Sequence, residues 1–409
     1  MFKERELMRY DIRIGIIGLG GRGSGMLKDP ILSLGVQVAA VCDTREERMR
    51  NAADIIKSAG LPEPRQCEDY HDVLAMPGLD AVIIAASWEE HVPMACDAMR
   101  AGKYVGLEVG GAYSVEDCWK LVRTYEETKV PCMMLENCCY GREELLVLNM
   151  VRQGLFGEIV HCEGGYRHDQ RKSIVTGPER GHYRYRQYLN RNGDSYPTHA
   201  LGPIANVLDI NHGNRMISLV SMASKAAGIH DYILRTRGQG DDMTKWSYSQ
   251  GDVVTTMIKC AHGETIVLCL DTGLPRFYTR CLQVEGTRGM YMYDDNSIFI
   301  DGKDDENEFR WRECWNNAEA YYERYEHPVW REYLEKGVTG GHGGMDGLVY
   351  KAFFDAVRNR GPVPIDVYDT ASWMAITPLS EESIALGGMP RAIPDFTNGQ
   401  WMLRGAWEP

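Results

Sequence analysis

The sequence predicts two α/β domains in series: an N-terminal doubly wound parallel sheet, then an α/β domain built on an open, mainly antiparallel sheet. Three observations carry this. Gly18, Gly20 and Gly23 stand in G-x-G-x-x-G spacing directly after the apolar run Ile12, Ile14, Ile16, Ile17. Strand-like and helix-like segments then alternate as far as Glu136, the pattern of a parallel sheet with crossover helices. Downstream of Gly154 six strand-like runs dominate instead, as in antiparallel sheets that bury one face. At 409 residues the chain also exceeds the about 250–300 residues at which single cores stop growing. The expected division is 1–145 and 146–409, with a late helix around Gly347 to Asn359 packing back on the first part.

The first element is the strand ending at Ile17. Gly18 permits a tight turn, Gly20 lets the backbone approach a pyrophosphate, and Gly23 allows close helix–strand contact, while amides at the helix start meet the anion. The second strand, Val36 to Cys42, closes on Asp43, twenty residues after Gly23. A carboxylate there accepts hydrogen bonds from an adenosine ribose and favours NAD over NADP. Helices are expected over Arg45–Gly60 and His71–Met76, and strands over Ala81–Ala86, Tyr104–Glu108 and Pro131–Glu136. In such sheets ligands meet the residues just past the strand ends. Here these are Ser87 to His91, Glu108-Val109 and Glu136-Asn137.

Glu143 to Gly154 reads as a helix. The strand-like runs that follow are Glu158–Tyr166, Ile217–Ala223, Val253–Cys260, Thr265–Asp271, Arg280–Glu285 and Gly289–Tyr293. Between them the densest polar run is Asn192 to His199, leading into apolar, helix-like Ala200 to Leu208. Pro197 holds its predecessor extended, which puts Tyr196 and His199 at a loop-to-helix junction. A lone histidine is more often structural than catalytic; the neighbouring tyrosine evens the balance. Gly164 to Asp169 at a strand end, the cationic and aromatic run Arg180 to Tyr188, and Pro275 to Tyr278 are further candidates, each with a packing or interface role as the alternative.

Composition excludes several classes. A net charge of −13 opposes binding to a phosphate backbone, so no nucleic-acid partner is expected. No run of about eighteen apolar residues appears, so no membrane span is expected. The charged Met1 to Arg9 lacks the apolar core of a secretory leader. The twelve cysteines are scattered and read as buried thiols of a cytoplasmic protein. No Cys/His spacing matches a zinc site, and His161-Cys162-Glu163 cannot chelate from one face of a strand; no required metal is expected. Asp301 to Glu308 reads as a solvated acidic turn.

Together, Gly18 to Gly23, Asp43, Ser87 to His91 and Gly102-Lys103-Tyr104-Val105-Gly106-Leu107-Glu108 resemble the glucose–fructose oxidoreductase, inositol dehydrogenase and MocA family. That resemblance implies a Rossmann domain followed by an open-sheet domain. Dehydrogenases of the family continue Glu-Lys-Pro after the strand, whereas Val109 and Gly110 follow Glu108 here, so a principal acid–base group is missing. The sequences Glu136-Asn137-Cys138-Cys139-Tyr140-Gly141-Arg142-Glu143-Glu144, Gly164-Gly165-Tyr166 with His168-Asp169, Asn192-Gly193-Asp194 with Tyr196-Pro197-Thr198-His199, and Gly202-Pro203 are similar to glycoside hydrolase family 109. Its members are NAD-dependent α-N-acetylgalactosaminidases, with relatives acting on other hexosaminides or hexosides.

The resemblance implies NAD contacts from Gly18, Gly20, Arg22, Gly23, Asp43, Trp88, Glu89, Glu90, His91, Glu108, Val109 and Asn137. It implies a sugar site lined by Tyr166, Arg184, Tyr196, Pro197, Thr198, His199 and Tyr278, with Arg186 near enough in sequence to exchange with Arg184. The implied chemistry is redox-neutral. A hydride leaves the sugar at C3, the ketone acidifies the C2 proton, and loss of that proton expels the C1 leaving group. Water then adds at C1, and proton and hydride are returned. In that scheme His199 handles the C3 hydroxyl proton, Tyr166 or Tyr196 serves at C2, and Glu136 orients or deprotonates a partner. The alternative is a net NAD-dependent sugar or cyclitol dehydrogenase. In either case the partner is a small glycoside or sugar, and the open sheet makes a homo-oligomer the expectation.

Overall fold

The computed structural model describes residues 11–304 and 311–409. The charged N-terminus and residues 305–308 of the acidic stretch lie outside them. Of that stretch, Asp301 to Lys303 form an exposed turn, while Asp304 turns inward to accept hydrogen bonds from the Ile300 amide and the Tyr321 hydroxyl, at 2.6 and 2.7 Å.

The chain forms two compact units. The first takes the chain up to Glu108, then Arg123–Leu135 and Val338–Val367. It holds a six-stranded sheet of β1 (Arg13–Ile17), β2 (Gln37–Cys42), β3 (Arg65–Cys67), β4 (Ala81–Ile84), β5 (Tyr104–Leu107) and β6 (Cys132–Met134), in the order β3-β2-β1-β4-β5-β6. Every pair is parallel. β1, β2 and β4 are almost wholly buried, because helices cover both faces of such a sheet and select continuous Ile/Val/Ala runs. The order reverses at β1, so the glycine-rich turn after Ile17 leaves the sheet where doubly wound folds bind ligands. The helix Met345–Asn359 belongs to this unit. Its Phe353 packs where Gly106 presents no side chain: a Cβ there would stand 3.2 Å from the ring.

The second unit comprises Val109–Val122, Glu136–Gly337 and Tyr368–Pro409. Its eight strands are β7 (Ile159–Arg167), β8 (Met216–Ala223), β9 (Val253–Cys260), β10 (Thr265–Asp271), β11 (Gln283–Gly286), β12 (Gly289–Met292), β13 (Ser297–Ile300) and β14 (Arg391–Ala392). Their order is β13-β12-β11-β7-β10-β9-β8-β14. The sheet is mixed: β7 and β10 run parallel and the other neighbours antiparallel. β9 shows the one-sided burial that its sequence dictates, with Val254, Thr256, Ile258 and Cys260 inside and Thr255, Met257 and Lys259 outside. The expected strand from Arg280 begins only at Gln283. Cys281 takes a left-handed φ of 40°, and Arg280 instead turns its side chain inward to Glu144, Nε to Oε1 at 2.8 Å.

Short helices after β7 and β8 make a small separate core in this unit. Ile174, Val175, Tyr188, Ile229, Ile233 and Met243 pack together, with Tyr185 and Trp246 against them. Among the described residues no helix is long and apolar enough to cross a membrane.

Candidate active site

The second unit buries a carboxylate beside a histidine. Glu136 follows β6 and leads into the tight turn Asn137–Tyr140, where its Oε1 accepts the Cys138 amide at 3.0 Å. His199 is the second residue of the helix Thr198–Val207, and its Nδ1 lies 2.7 Å from the same Oε1. Two glycines let the elements approach. A Cβ on Gly202 would meet Cys139 Sγ at 2.8 Å and Glu136 Cγ at 3.0 Å, and one on Gly164 would meet Ala200 Cβ at 3.0 Å. The helix therefore lies close on both the turn and β7. Burial alone would raise the pKa of Glu136, but the His199 charge and hydrogen bond, with contributions from Thr198 and the Cys138 amide, hold it below the usual range. Oε2 of Glu136 and the hydroxyl of Thr198 are buried and close no hydrogen bond of normal geometry, although Thr198 stands near enough to stabilise the carboxylate. A carboxylate on Nδ1 fixes the tautomer: Nδ1 donates, and Nε2 of the neutral ring is left as the acceptor.

Aromatic rings box the histidine. The centroids of Tyr166 and Tyr196 lie 5.5 and 4.9 Å from that of His199 and 4.4 Å from each other. Tyr278 stands 6.3 Å from Tyr166, and the Arg184 guanidinium lies 5.5 Å from the Tyr196 ring. Tyr166 is the penultimate residue of β7, and His168, two residues on, brings its Nδ1 to 3.0 Å from the Tyr166 hydroxyl. Gln170 Nε2 donates to that Nδ1 at 2.7 Å and reaches the hydroxyl at 3.3 Å. Burial first, then the Arg184 charge, lowers the pKa of His168, which keeps its ring neutral and able to take a proton.

The loop carrying Tyr196 is fastened from below. Ser380 Oγ accepts the Asp194 amide at 2.8 Å and Thr377 Oγ1 donates to the Asp194 carbonyl at 2.7 Å, both from the helix Ile376–Ala385. Arg191 grips Glu381 with two nitrogens, at 2.6 and 2.8 Å. The Asp194 carboxyl accepts only a long bond, 3.4 Å, from the Tyr196 amide, and its burial pushes its pKa up to about 7.

In the first unit, Gly18 (φ 90°) and Gly23 are required by contact. A Cβ on Gly18 would stand 2.6 Å from the backbone of Ala85 and Ala86, and one on Gly23 would be 2.0 Å from the Gly18 carbonyl. Gly20, by contrast, has only an Arg48 nitrogen within 4 Å of its Cβ position. The helix Gly21–Lys28 that starts there has no side-chain cap. Asp43 takes the Leu19 amide at 2.8 Å, the Arg45 amide at 3.0 Å and Arg48 at 3.4 Å. Arg22 donates to both oxygens of Asp346 at 2.9 Å and from Nε to Glu108 at 3.2 Å. Tyr350 also reaches Glu108, at 3.4 Å.

A family model described as glycosyl hydrolase 109, C-terminal domain, matches residues 140–403. The chain belongs to glycosyl hydrolase family 109. An NAD-binding Rossmann fold of the oxidoreductase family matches residues 12–136. An α-N-acetylgalactosaminidase of Tannerella forsythia is 39% identical, over 96% of this chain and 88% of the relative. A family 109 protein of Stenotrophomonas maltophilia is 40% identical, over 96% and 90%. Among solved structures, levoglucosan dehydrogenase with NADH and levoglucosan aligns with a TM-score of 0.69 at 18% identity, over 94% of this chain and 99% of that one. An NAD-binding oxidoreductase of Klebsiella pneumoniae aligns with the same score at 16% identity, over 94% and 99%. At that identity these two speak for the fold alone.

This family 109 chain is therefore a glycosidase with NAD as its cofactor, and its residues fit the dinucleotide. The uncapped helix start and the open space at Gly20 suit a pyrophosphate. Of the four acceptor sites on a carboxylate, Asp43 leaves one beyond its three protein partners for a ribose hydroxyl. His91, wholly buried, bonds the Ala86 carbonyl through Nε2 at 3.1 Å, while Nδ1 has no partner; it suits a donor on the ligand. Burial lowers the pKa of His91 to about 4, so it stays neutral. Trp88 is buried beside it and Glu89 half-buried, whereas Glu90 is exposed. Val109 and Asn137 are buried in the second unit.

Of the sequence-derived sugar-site residues, Tyr166, Arg184, Tyr196, His199 and Tyr278 come together, with Pro197 and Thr198 opening the helix that carries His199. Sequence reasoning held His168 within the candidate run Gly164 to Asp169 without giving it a role, and missed Gln170, although the two-residue steps from Tyr166 were a usable signal. It also missed Asp346, whose partner Arg22 is 324 positions away.

Proposed function

We propose that the protein cleaves N-acetyl-α-galactosaminides or closely related hexosides without net oxidation. The observation that carries this is the Glu136–His199 pair inside a ring of tyrosines, in a chain with Val109 where a dehydrogenase of this fold would carry lysine. The named activity of the T. forsythia relative supplies the sugar. When bound, NAD⁺ supplies a temporary hydride acceptor for C3 of the sugar, which makes the C2 proton removable.

The chain's own residues do the proton work. His199, its Nδ1 tied to Glu136, takes the C3 hydroxyl proton on Nε2, and the buried carboxylate stabilises the imidazolium formed. Tyr166 stands at C2 with His168 as the next proton acceptor, and Tyr196 is the alternative at that carbon. Arg184 and Tyr278 hold the sugar against the tyrosines. The two flanking carboxylates of an ordinary glycosidase are not needed for this scheme.

The test is an aryl N-acetyl-α-galactosaminide deuterated at C2, given to the protein as purified without added cofactor. Aryl release with solvent hydrogen at C2 is expected. Release with the deuterium fully retained overturns the elimination route, and stoichiometric NADH in its place would make the protein a net dehydrogenase.

A further inference from the structure

Cys138 has no part in this chemistry, yet its thiol lies with Glu136 and His199 in a group whose donor atoms are all within 4.8 Å of one another. We propose that Glu136, Cys138 and His199 bind a thiophilic divalent cation, Zn²⁺, and that the occupied site is closed to catalysis. The donor set is one thiolate, one imidazole and one carboxylate, which suits zinc and leaves a fourth position open. Two of the donors come from one tight turn and the third from the helix packed on it, so no unfolding is needed to bring them together.

Glu136 is fully buried, and its Oε2 closes no hydrogen bond of normal geometry, with Thr198 and the Cys138 thiol close by; such an atom favours a further partner. The Cys138 amide and His199 already hold Oε1, so the carboxylate is aimed before any ion arrives. Zinc bonds of about 2.0–2.3 Å set tetrahedral donors roughly 3.3–3.8 Å apart. The widest gap here must close by about 1 Å, within reach of rotation about the His199 and Cys138 side-chain bonds.

Charge balances on binding. The Cys138 thiol releases its proton to solvent, and the thiolate and the Glu136 carboxylate together neutralise Zn²⁺. The Nδ1 proton moves through solvent to Nε2 and the ion takes its place between His199 Nδ1 and Glu136; Nε2, now protonated, can no longer accept a proton, which removes the pair that the proposed chemistry uses. Occupancy of the site does not rest on the glycosidase reading; inhibition does.

The experiment treats the purified protein with EDTA, dialyses it and titrates it with Co²⁺. One equivalent should bind with a near-ultraviolet thiolate-to-cobalt band, and Zn²⁺ should abolish that band. Zinc X-ray absorption on the same wild-type protein should show one sulfur among nitrogen and oxygen neighbours. C138S should lose the band and at least tenfold in Zn²⁺ affinity, while C139S, altered at the adjacent thiol outside the group, keeps both. Zn²⁺ should also suppress aryl glycoside turnover at least tenfold, reversibly by EDTA. Absence of the band in wild type, more than one sulfur at the zinc, or a band that persists in C138S overturns the site. Full turnover with the site occupied overturns its closure to catalysis. A protein that shows the band but cleaves no glycoside leaves the site standing and sinks the glycosidase reading instead.

Discussion

In the first unit the Arg22 guanidinium is committed on both edges, to two oxygens of Asp346 and to Glu108. Burial opposes the charges, but His342 and Arg22 outweigh it and hold Asp346 well below the carboxylate range. In the second unit Glu136 faces one histidine and has an oxygen that closes no hydrogen bond of normal geometry, and burial of Asp194 is opposed only by the Tyr196 amide, with no cation beside it among the described residues. The first unit uses its buried charge to tie the helix Gly21–Lys28 to the helix Met345–Asn359 and to the end of β5. The other leaves charge incompletely answered, which is the condition in which a proton can be moved.

The largest effect should come from Glu136→Gln. The amide keeps a hydrogen bond to His199 but cannot stabilise its imidazolium, so kcat should fall about 10²–10⁴-fold with a smaller change in KM. An initial-rate series on the aryl glycoside reads both; an unchanged kcat would show that the incomplete pairing has no chemical use.

Arg22→Met should act on stability instead. It takes the guanidinium from two buried carboxylates that keep only His342 and Tyr350, and since about a third of the Arg22 side chain is exposed the loss should be about 2–4 kcal/mol, at or below that of a fully buried pair. Urea unfolding measures it. The depressed pKa of Asp346 gives stability that is present above the unfolded value of about 4 and is lost as pH falls, so the variant's deficit should shrink in acid.

Asp194→Asn should show the opposite sign. With the folded pKa raised to about 7, the native state binds the extra proton, and wild-type stability declines as pH rises from about 4 to 7. The variant should gain on wild type across that window, on the order of 2 kcal/mol, in urea curves at pH 5 and pH 8. A flat difference would mean that Asp194 is answered by charge after all. Smallest of all, Phe277→Ala, at a side chain 95% exposed, should change unfolding free energy by less than about 0.5 kcal/mol, marking the baseline for both units.

The first sheet was legible because its signals are local: Ile12, Ile14, Ile16 and Ile17 form an apolar run, and Gly23 is set by the Gly18 carbonyl within the same turn. β3 and β14, at three and two residues, are too short for a period to register. The helices around Tyr188 and Ile233 escaped for a related reason. Each adds only one or two residues to the small core, less than a helical stripe needs to show. At the site, the residue types at Glu136 and His199 could be named one by one, but their pairing depends on Gly202 admitting the turn against the helix, a fact of packing rather than of spacing. The family resemblance pointed to Arg22 as a cofactor contact, and nothing near it in sequence announced Asp346.

The twelve cysteines carry a consequence of their own. None forms a disulfide among the described residues and nine are buried, with Cys42, Cys96 and Cys132 inside the first unit and Cys138, Cys139 and Cys162 inside the second. Each buried thiol is a clock that starts only when its surroundings open. A thiol-alkylating pulse followed by peptide mass spectrometry would time the opening of the two units separately, without a label or a mutation.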